Sequence, residues 1–242
     1  MLYSGGLFSP GVNRRVVFRP TAPLRTPHRE GVLLKGYVLL LAGGLLVQTG
    51  LFVGVMLAAV PLIPVCGYLA RVVAGAEGEE LPQFGPLSGL FRDGARAAVV
   101  AVGYLSVPAV LLVVTFRGAA AAGPPESVGL VVVLRVYGGA TMTLFVSSAA
   151  AFVYPAATAA ALRAGRLRAA LPGGRLRAAC VDRHYFTGWV GAASSFGVAT
   201  AVLAALAGLG PAGTLVGIGL WYYATLVTAA ALGSAYTRAV AD

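Results

Sequence analysis

Residues 94–116 read GARAAVVAVGYLSVPAVLLVVTF, and from Ala97 to Phe116 the run carries no charged side chain. A helix needs about 20 apolar residues to cross the hydrocarbon of a bilayer, so this run is long enough for one pass. The pattern recurs on both sides, in Val32 to Val73, Val128 to Leu162, Tyr185 to Leu209 and Thr214 to Arg238. Of the 242 residues 58% are hydrophobic and 11% charged, with a mean hydropathy of +0.84. A soluble domain carries roughly 25% charged residues. Eight acids and eighteen bases cannot coat a chain of this size, so lipid must face much of its surface.

The run from Val32 to Val73 is too long for one pass. It is interrupted at Gln48 to Gly50 and again by Pro61 and Pro64. Two readings follow: a hairpin turning near Gln48, or one long helix to Val60 followed by a proline-broken interfacial segment. The expected architecture is an all-α polytopic transmembrane bundle of about six passes, with five as the alternative. The spans are 32–48, 51–73, 94–116, 128–162, 185–209 and 214–238, within a single domain over residues 31–240. The turn between the last two passes is placed at Gly210 to Gly213.

Residues 1–30 combine Pro10, Pro20, Pro23 and Pro27 with five arginines, a composition that neither continues a helix nor forms a core. They read as a disordered basic tail, with a start site further along the chain as the competing explanation. No short apolar run with a small-residue cleavage site opens the chain, so the first apolar run is expected to serve as its own insertion signal.

The formal net charge of +10 is concentrated between the apolar runs. That placement suits anionic headgroups and a defined orientation better than nucleic acid, which is not expected as a partner. The loop at 163–184 holds Arg163, Arg166, Arg168, Arg175, Arg177 and Arg183, whereas 117–127 holds Arg117 alone. Arginine-rich loops stay in the cytoplasm, so the loops at 74–92 and 163–184 and the C-terminus are expected there, in a cell-membrane protein. A cytoplasmic basic tail then requires an even number of crossings before residue 74, which favours the hairpin.

Within the second loop GRLRAA occurs twice, at Gly165 to Ala170 and at Gly174 to Ala179, with Pro172 and Gly173 between. Two short segments could each lay Leu and Ala into the interface with arginine outward. Arg166, Arg168, Arg175 and Arg177 are therefore candidate headgroup contacts, against the plainer reading of arginine-rich low complexity. Pro64 to Asp93 and Pro155 to Asp182 are similarly spaced helix–elbow–helix units, consistent with an internal duplication.

The first of these units carries a resemblance. Residues 61–94, PLIPVCGYLARVVAGAEGEELPQFGPLSGLFRDG, resemble the haloarchaeal membrane family called domain of unknown function 4013, with its Pro, GYxxR, acidic turn, LPxF and LFxDG. The matching positions include Pro64, Gly67, Tyr68, Arg71, Pro82, Phe84, Asp93 and Gly94. YPAATAAALRAGRLRAAL at 154–171 and DRHYFTGWV at 182–190 are similar to the same pattern, and the likeness extends over about residues 35–238. It implies an integral membrane protein of a halophilic archaeon with no assigned activity, and no catalytic residues.

Charges inside a membrane are functional candidates, so Arg135 stands out, either snorkelling to headgroups, or facing a substrate or pairing with Glu126. Asp93 and Asp182 are expected at matching helix starts, as caps or local ion pairs. Cys66 and Cys180 form no pair or cluster, His28 and His184 stand apart, and Ser147, Ser148, Ser194 and Ser195 have no base at helical spacing. No cofactor, metal or catalytic residue is therefore assigned, and the chain is read as a non-enzyme. The preferred function is a membrane scaffold that contacts lipids, a membrane protein partner or a second copy of itself. A small transporter is the alternative, and a membrane-embedded lipid enzyme comes last.

Overall fold

The computed structural model describes residues 30–48, 52–75, 82–121 and 129–241. The tail before residue 30 and Glu126 lie outside them. Seven α-helices account for nearly all of the described chain: α1 (Glu30–Gln48), α2 (Phe52–Gly75), α3 (Leu87–Ala121), α4 (Leu130–Ala164), α5 (Gly174–Val181), α6 (Arg183–Ala207) and α7 (Pro211–Ala241). A 3-10 turn, Leu167–Ala170, sits between α4 and α5. In hydrocarbon every backbone N–H and C=O must be paired inside the chain, and a helix does this locally, which is why apolar runs of this length become helices. The molecule is an all-α helical bundle.

Among the described residues five helices are long and apolar enough to cross a membrane: Met56–Gly75, Leu87–Gly118, Leu134–Ala164, Arg183–Ala207 and Pro211–Val240. The apolar part of α1, Gly31–Val47, is shorter. It packs on α2, where the Leu62 side chain lies 2.8 Å from the place a Cβ on Gly43 would take. The long helix running to Val60 is therefore replaced by two helices, and Pro61 and Pro64 lie inside α2 rather than ending it.

Several boundaries depart from the apolar runs. α3 begins at Leu87, about two turns before Gly94, so residues 74, 75 and 87–92 of the expected loop are helical. The cause is tertiary: Leu90 is fully buried, and Asp93 pairs with Arg71 on α2. The final turn also moves. Proline suits the first helical position, so α7 starts at Pro211 and the chain reverses at Gly210, whose φ of 91° favours glycine. Gly213, expected in that turn, lies inside α7, and a Cβ there would collide with the Leu206 carbonyl oxygen of α6.

α3 and α4 have 35 residues each, about 52 Å of helix against roughly 30 Å of hydrocarbon. Burial shows where the excess goes. The packed core gathers Tyr68, Val72, Leu90, Ala156 to Ala161, Tyr185, Leu226 and Tyr236, from the C-terminal parts of α2 and α4, the N-terminal parts of α3 and α6, and the middle and C-terminal part of α7. Most of the large exposed apolar side chains occupy the opposite part, in Val99 to Phe116 of α3, Leu134 to Phe145 of α4, Val190 to Val202 of α6 and Leu215 to Leu220 of α7, with a smaller set around the second elbow that includes Leu167, Leu171 and Val181. One section of the bundle thus has a lipid-facing exterior, and the other is a cap packed around its own core. In the cap, small residues on α4 let α2 and α7 approach closely.

Candidate functional site

Both elbows lie at the cap end. The Arg163 guanidinium, at the close of α4, donates from Nε to the Ala74 carbonyl of α2 at 2.6 Å and from Nη2 to Thr237 Oγ1 of α7 at 2.6 Å. It also sits 5.1 Å above the Tyr236 ring, a cation–π distance. The ends of three helices are tied by one side chain.

The first elbow joins α2 to α3. Gly67 and Gly94 mark the crossing: a Cβ on Gly67 would collide with the Leu90 carbonyl oxygen, and one on Gly94 with that of Ile63. Only glycine lets the two backbones meet this closely. Tyr68 donates to the Pro82 carbonyl at 2.9 Å and its ring tilts against Phe84 at 5.1 Å, so the incoming loop is held by α2. Arg71 Nε reaches Asp93 Oδ2 at 2.6 Å, and Arg96 Nη1 lies 3.6 Å from Oδ1. The pair with Arg71 is partly shielded, with side-chain exposures of 25% and 18%. Arg71 also lies over two glycines, Gly85 and Gly89; a Cβ on Gly89 would stand 2.6 Å from its Nη2. Pro64 is fully buried nearby. These family-motif positions all serve to close one helix crossing.

Asp93 is therefore not at a helix start. It lies in the second turn of α3, and its partner Arg71 is on another helix, a pairing no local spacing could show. Asp182 does occupy a helix start: Oδ1 accepts from His184 N at 2.7 Å and Tyr185 N at 3.0 Å, capping α6. The two aspartates of the suspected duplication hold different posts.

The second elbow runs from α4 to α6. Gly165, at φ 65°, ends α4 in a left-handed turn, with Gly165 N donating to Leu162 O and Arg166 N to Ala161 O. Arg96 Nη2 donates to the Gly165 carbonyl at 3.2 Å, so the first elbow also fastens the second. The two GRLRAA copies adopt different structures. The first supplies this cap and the 3-10 turn, and the second forms α5. Leu176 of the second packs into the protein core at 4% exposure, whereas its counterpart Leu167 in the first is exposed; the closing alanines of both copies, Ala170 and Ala179, are buried. Of the two leucines that the repeat suggests lie outward in the interface, only Leu167 does so. α5 faces inward because Tyr185 and Tyr236 offer a core beside it.

Between these pieces lies a cleft of about 400 Å³. Arg163, Arg166, Arg168 and Arg175 line it, with Tyr236 and Leu171. Arg177, also a candidate from the repeat, is exposed but is not part of the lining. Arg163 is the residue that sequence reasoning passed over. Its place at the end of an apolar run marks it only as a boundary charge, and Ala74, Tyr236 and Thr237, which it touches, belong to distant segments. The elbow reaches back toward the lipid-facing section, because Tyr104 of α3 donates to the Ala170 carbonyl at 2.6 Å and Val102 and Val107 on either side of Tyr104 are exposed. Burial raises the Cys180 thiol pKa above its ordinary value.

Arg135 lies far from this cleft. It is exposed in the second turn of α4, at the outer edge of the span Leu134–Ala164 and at the end away from the elbows. The tryptophans are packing groups: Trp189 donates to the Ala151 carbonyl at 3.0 Å and Trp221 to Thr200 Oγ1 at 3.2 Å.

Long apolar helices whose exposed side chains form one section, under a cap tied together by arginines, define a multi-pass membrane protein. The chain belongs to the family described as a protein of unknown function, DUF4013, which matches residues 50–208. That match takes in both elbows, while α7, which supplies Tyr236 to the cleft, lies beyond it. No curated protein and no solved structure matches the chain.

Proposed function

We propose that the protein is a non-enzymatic scaffold of the cell membrane, with six passes, whose cytoplasmic cap engages membrane lipids and a membrane protein partner or second copy. The observation that carries this reading is the use of the family motif. Gly67, Tyr68, Arg71, Asp93 and Gly94 all serve the α2–α3 crossing, so the motif maintains a rigid shape. Orientation follows from arginine. Arg71, Arg92, Arg96 and the six arginines of 163–184 belong to the elbows, against Arg117 and Arg135 near the other end of α3 and α4, and cytoplasmic loops are the arginine-rich ones.

The test is extraction in a mild detergent followed by affinity pull-down and measurement of particle mass. A stoichiometric partner or an oligomer is expected, and a monodisperse, partner-free monomer overturns the scaffold. Solute flux in liposomes that is abolished by Arg135→Ala would replace it with a transporter.

A further inference from the structure

We propose that the arginine cleft of the second elbow binds the phosphate of one anionic lipid headgroup, preferentially a phosphomonoester. This deepens the scaffold reading and rests on its placement of the cap at the membrane surface.

Four guanidinium-bearing side chains converge on one concave space, and among the described residues no carboxylate lines it. Both described aspartates are engaged elsewhere, Asp93 with Arg71 and Arg96, and Asp182 with the first turn of α6. Like charges around one cleft repel, and an oxyanion that enters beside Arg166, Arg168 and Arg175 exchanges repulsion for attraction. The planar fork of arginine matches the spacing of phosphate oxygens and forms paired charge-assisted hydrogen bonds, so several arginines around a pocket favour phosphate over a single carboxylate. A dianionic monoester presents more charge and more free oxygens to them than a diester does. The volume of about 400 Å³ admits more than a bare ion.

The surroundings select a lipid as the source. Leu167, Leu171 and Val181 are exposed at 41%, 63% and 80% in the same elbow as the arginines. Tyr104 fastens the 3-10 turn to α3 where the lipid-exposed stretch of that helix begins. A cleft for a soluble phosphate compound needs no apolar margin at that depth, whereas a headgroup arrives attached to chains that such a margin receives. Arg163 differs from the other three, since it also ties α2 to α7. Occupation of the cleft therefore bears on the contact that holds the cap together.

The experiment uses the full chain purified in a neutral detergent. Dioleoyl phosphatidic acid, dioleoyl phosphatidylglycerol and inorganic phosphate are each titrated, with bound lipid counted by native mass spectrometry. Phosphatidic acid is expected to saturate at one molecule per chain and to bind more tightly than phosphatidylglycerol. The Arg166→Gln/Arg175→Gln variant should weaken it by about tenfold or more. Arg177→Gln/Arg183→Gln removes the same charge outside the cleft and should change binding by less than about threefold. Both variants leave Arg163 in place, and size-exclusion profiles matching the parent establish that they fold.

Equal losses in the two variants would show diffuse attraction and overturn the site, as would binding that fails to saturate. Inorganic phosphate competing as strongly as phosphatidic acid would overturn the lipid source. A partner-free monomer that still binds one phosphatidic acid would sink the scaffold and leave the cleft standing, so the two failures are separable.

Discussion

The first elbow places one carboxylate between two guanidinium groups and seats two backbones against each other at Gly67 and Gly94. The second, at the same end of the bundle, turns its arginines into an open cleft and spaces α4 from α6 with side chains, Phe152 meeting a tilted Tyr185 ring and an edge-on Trp189 ring at 5.1 and 5.4 Å. The same plan of helix, turn and helix has been carried out with opposite electrostatics. An elbow whose carboxylate is held between guanidinium groups keeps its shape, and one that lines a cleft with Arg166, Arg168 and Arg175 is available to an outside anion. If both arose from one ancestral unit, the divergence lies in where the aspartate went: into an ion pair across helices in one, into an N-cap in the other.

The largest test of that contrast is steric. Gly67→Leu must push the Leu90 backbone away, and overpacking of this kind costs about 3 kcal/mol. We expect the variant to lose its monodisperse size-exclusion peak. Gly174→Ala, where a Cβ meets open space in the second elbow, should leave it intact. Loss of both peaks, or of neither, would erase the distinction between a tight elbow and a loose one.

The next test is electrostatic. Asp93→Asn leaves Arg71 partly shielded without its counter-charge and should lower stability by about 2 kcal/mol, read as a drop in Tm of the detergent-solubilised protein. Arg166→Gln in the second elbow should stay within about 0.5 kcal/mol of the parent, because the side chain is exposed. A smaller effect belongs to the cap of α6. Asp182→Ala removes the acceptor for two backbone N–H groups and should cost about 1 kcal/mol, while Asp182→Asn should recover most of it.

The smallest effect is a rate. Burial disfavours the Cys180 thiolate, so its pKa lies above the ordinary thiol value and little thiolate is present near neutrality. Labelling by an impermeant maleimide should therefore be slow at neutral pH and rise as pH rises through the thiol range, and it should require access to the cytoplasmic face. Rapid labelling of sealed, right-side-out vesicles would reverse the proposed orientation.

Much of this molecule can be read without its coordinates. Apolar length alone indicates helices and a bilayer, because unpaired backbone groups are prohibitive in hydrocarbon whatever the tertiary arrangement. Gly165, Pro172 and Gly173 also act locally, ending α4 and separating the repeat copies. Local signals misplace α3, whose first two turns look polar and loop-like, because Leu90 and Asp93 become helical residues once α2 stands beside them. They likewise make the two GRLRAA copies look equivalent.

The sequence by itself determined a lipid-dissolved helical bundle with arginine-bearing elbows, since hydropathy and charge are properties of consecutive residues. Only the tertiary structure decided that Arg71 meets Asp93, that Leu176 turns inward, and that Arg163 joins its neighbours around one cleft. Those outcomes depend on which surfaces are brought within a few ångströms of one another, and the strength of electrostatic and packing forces is set at that range, not by spacing along the chain.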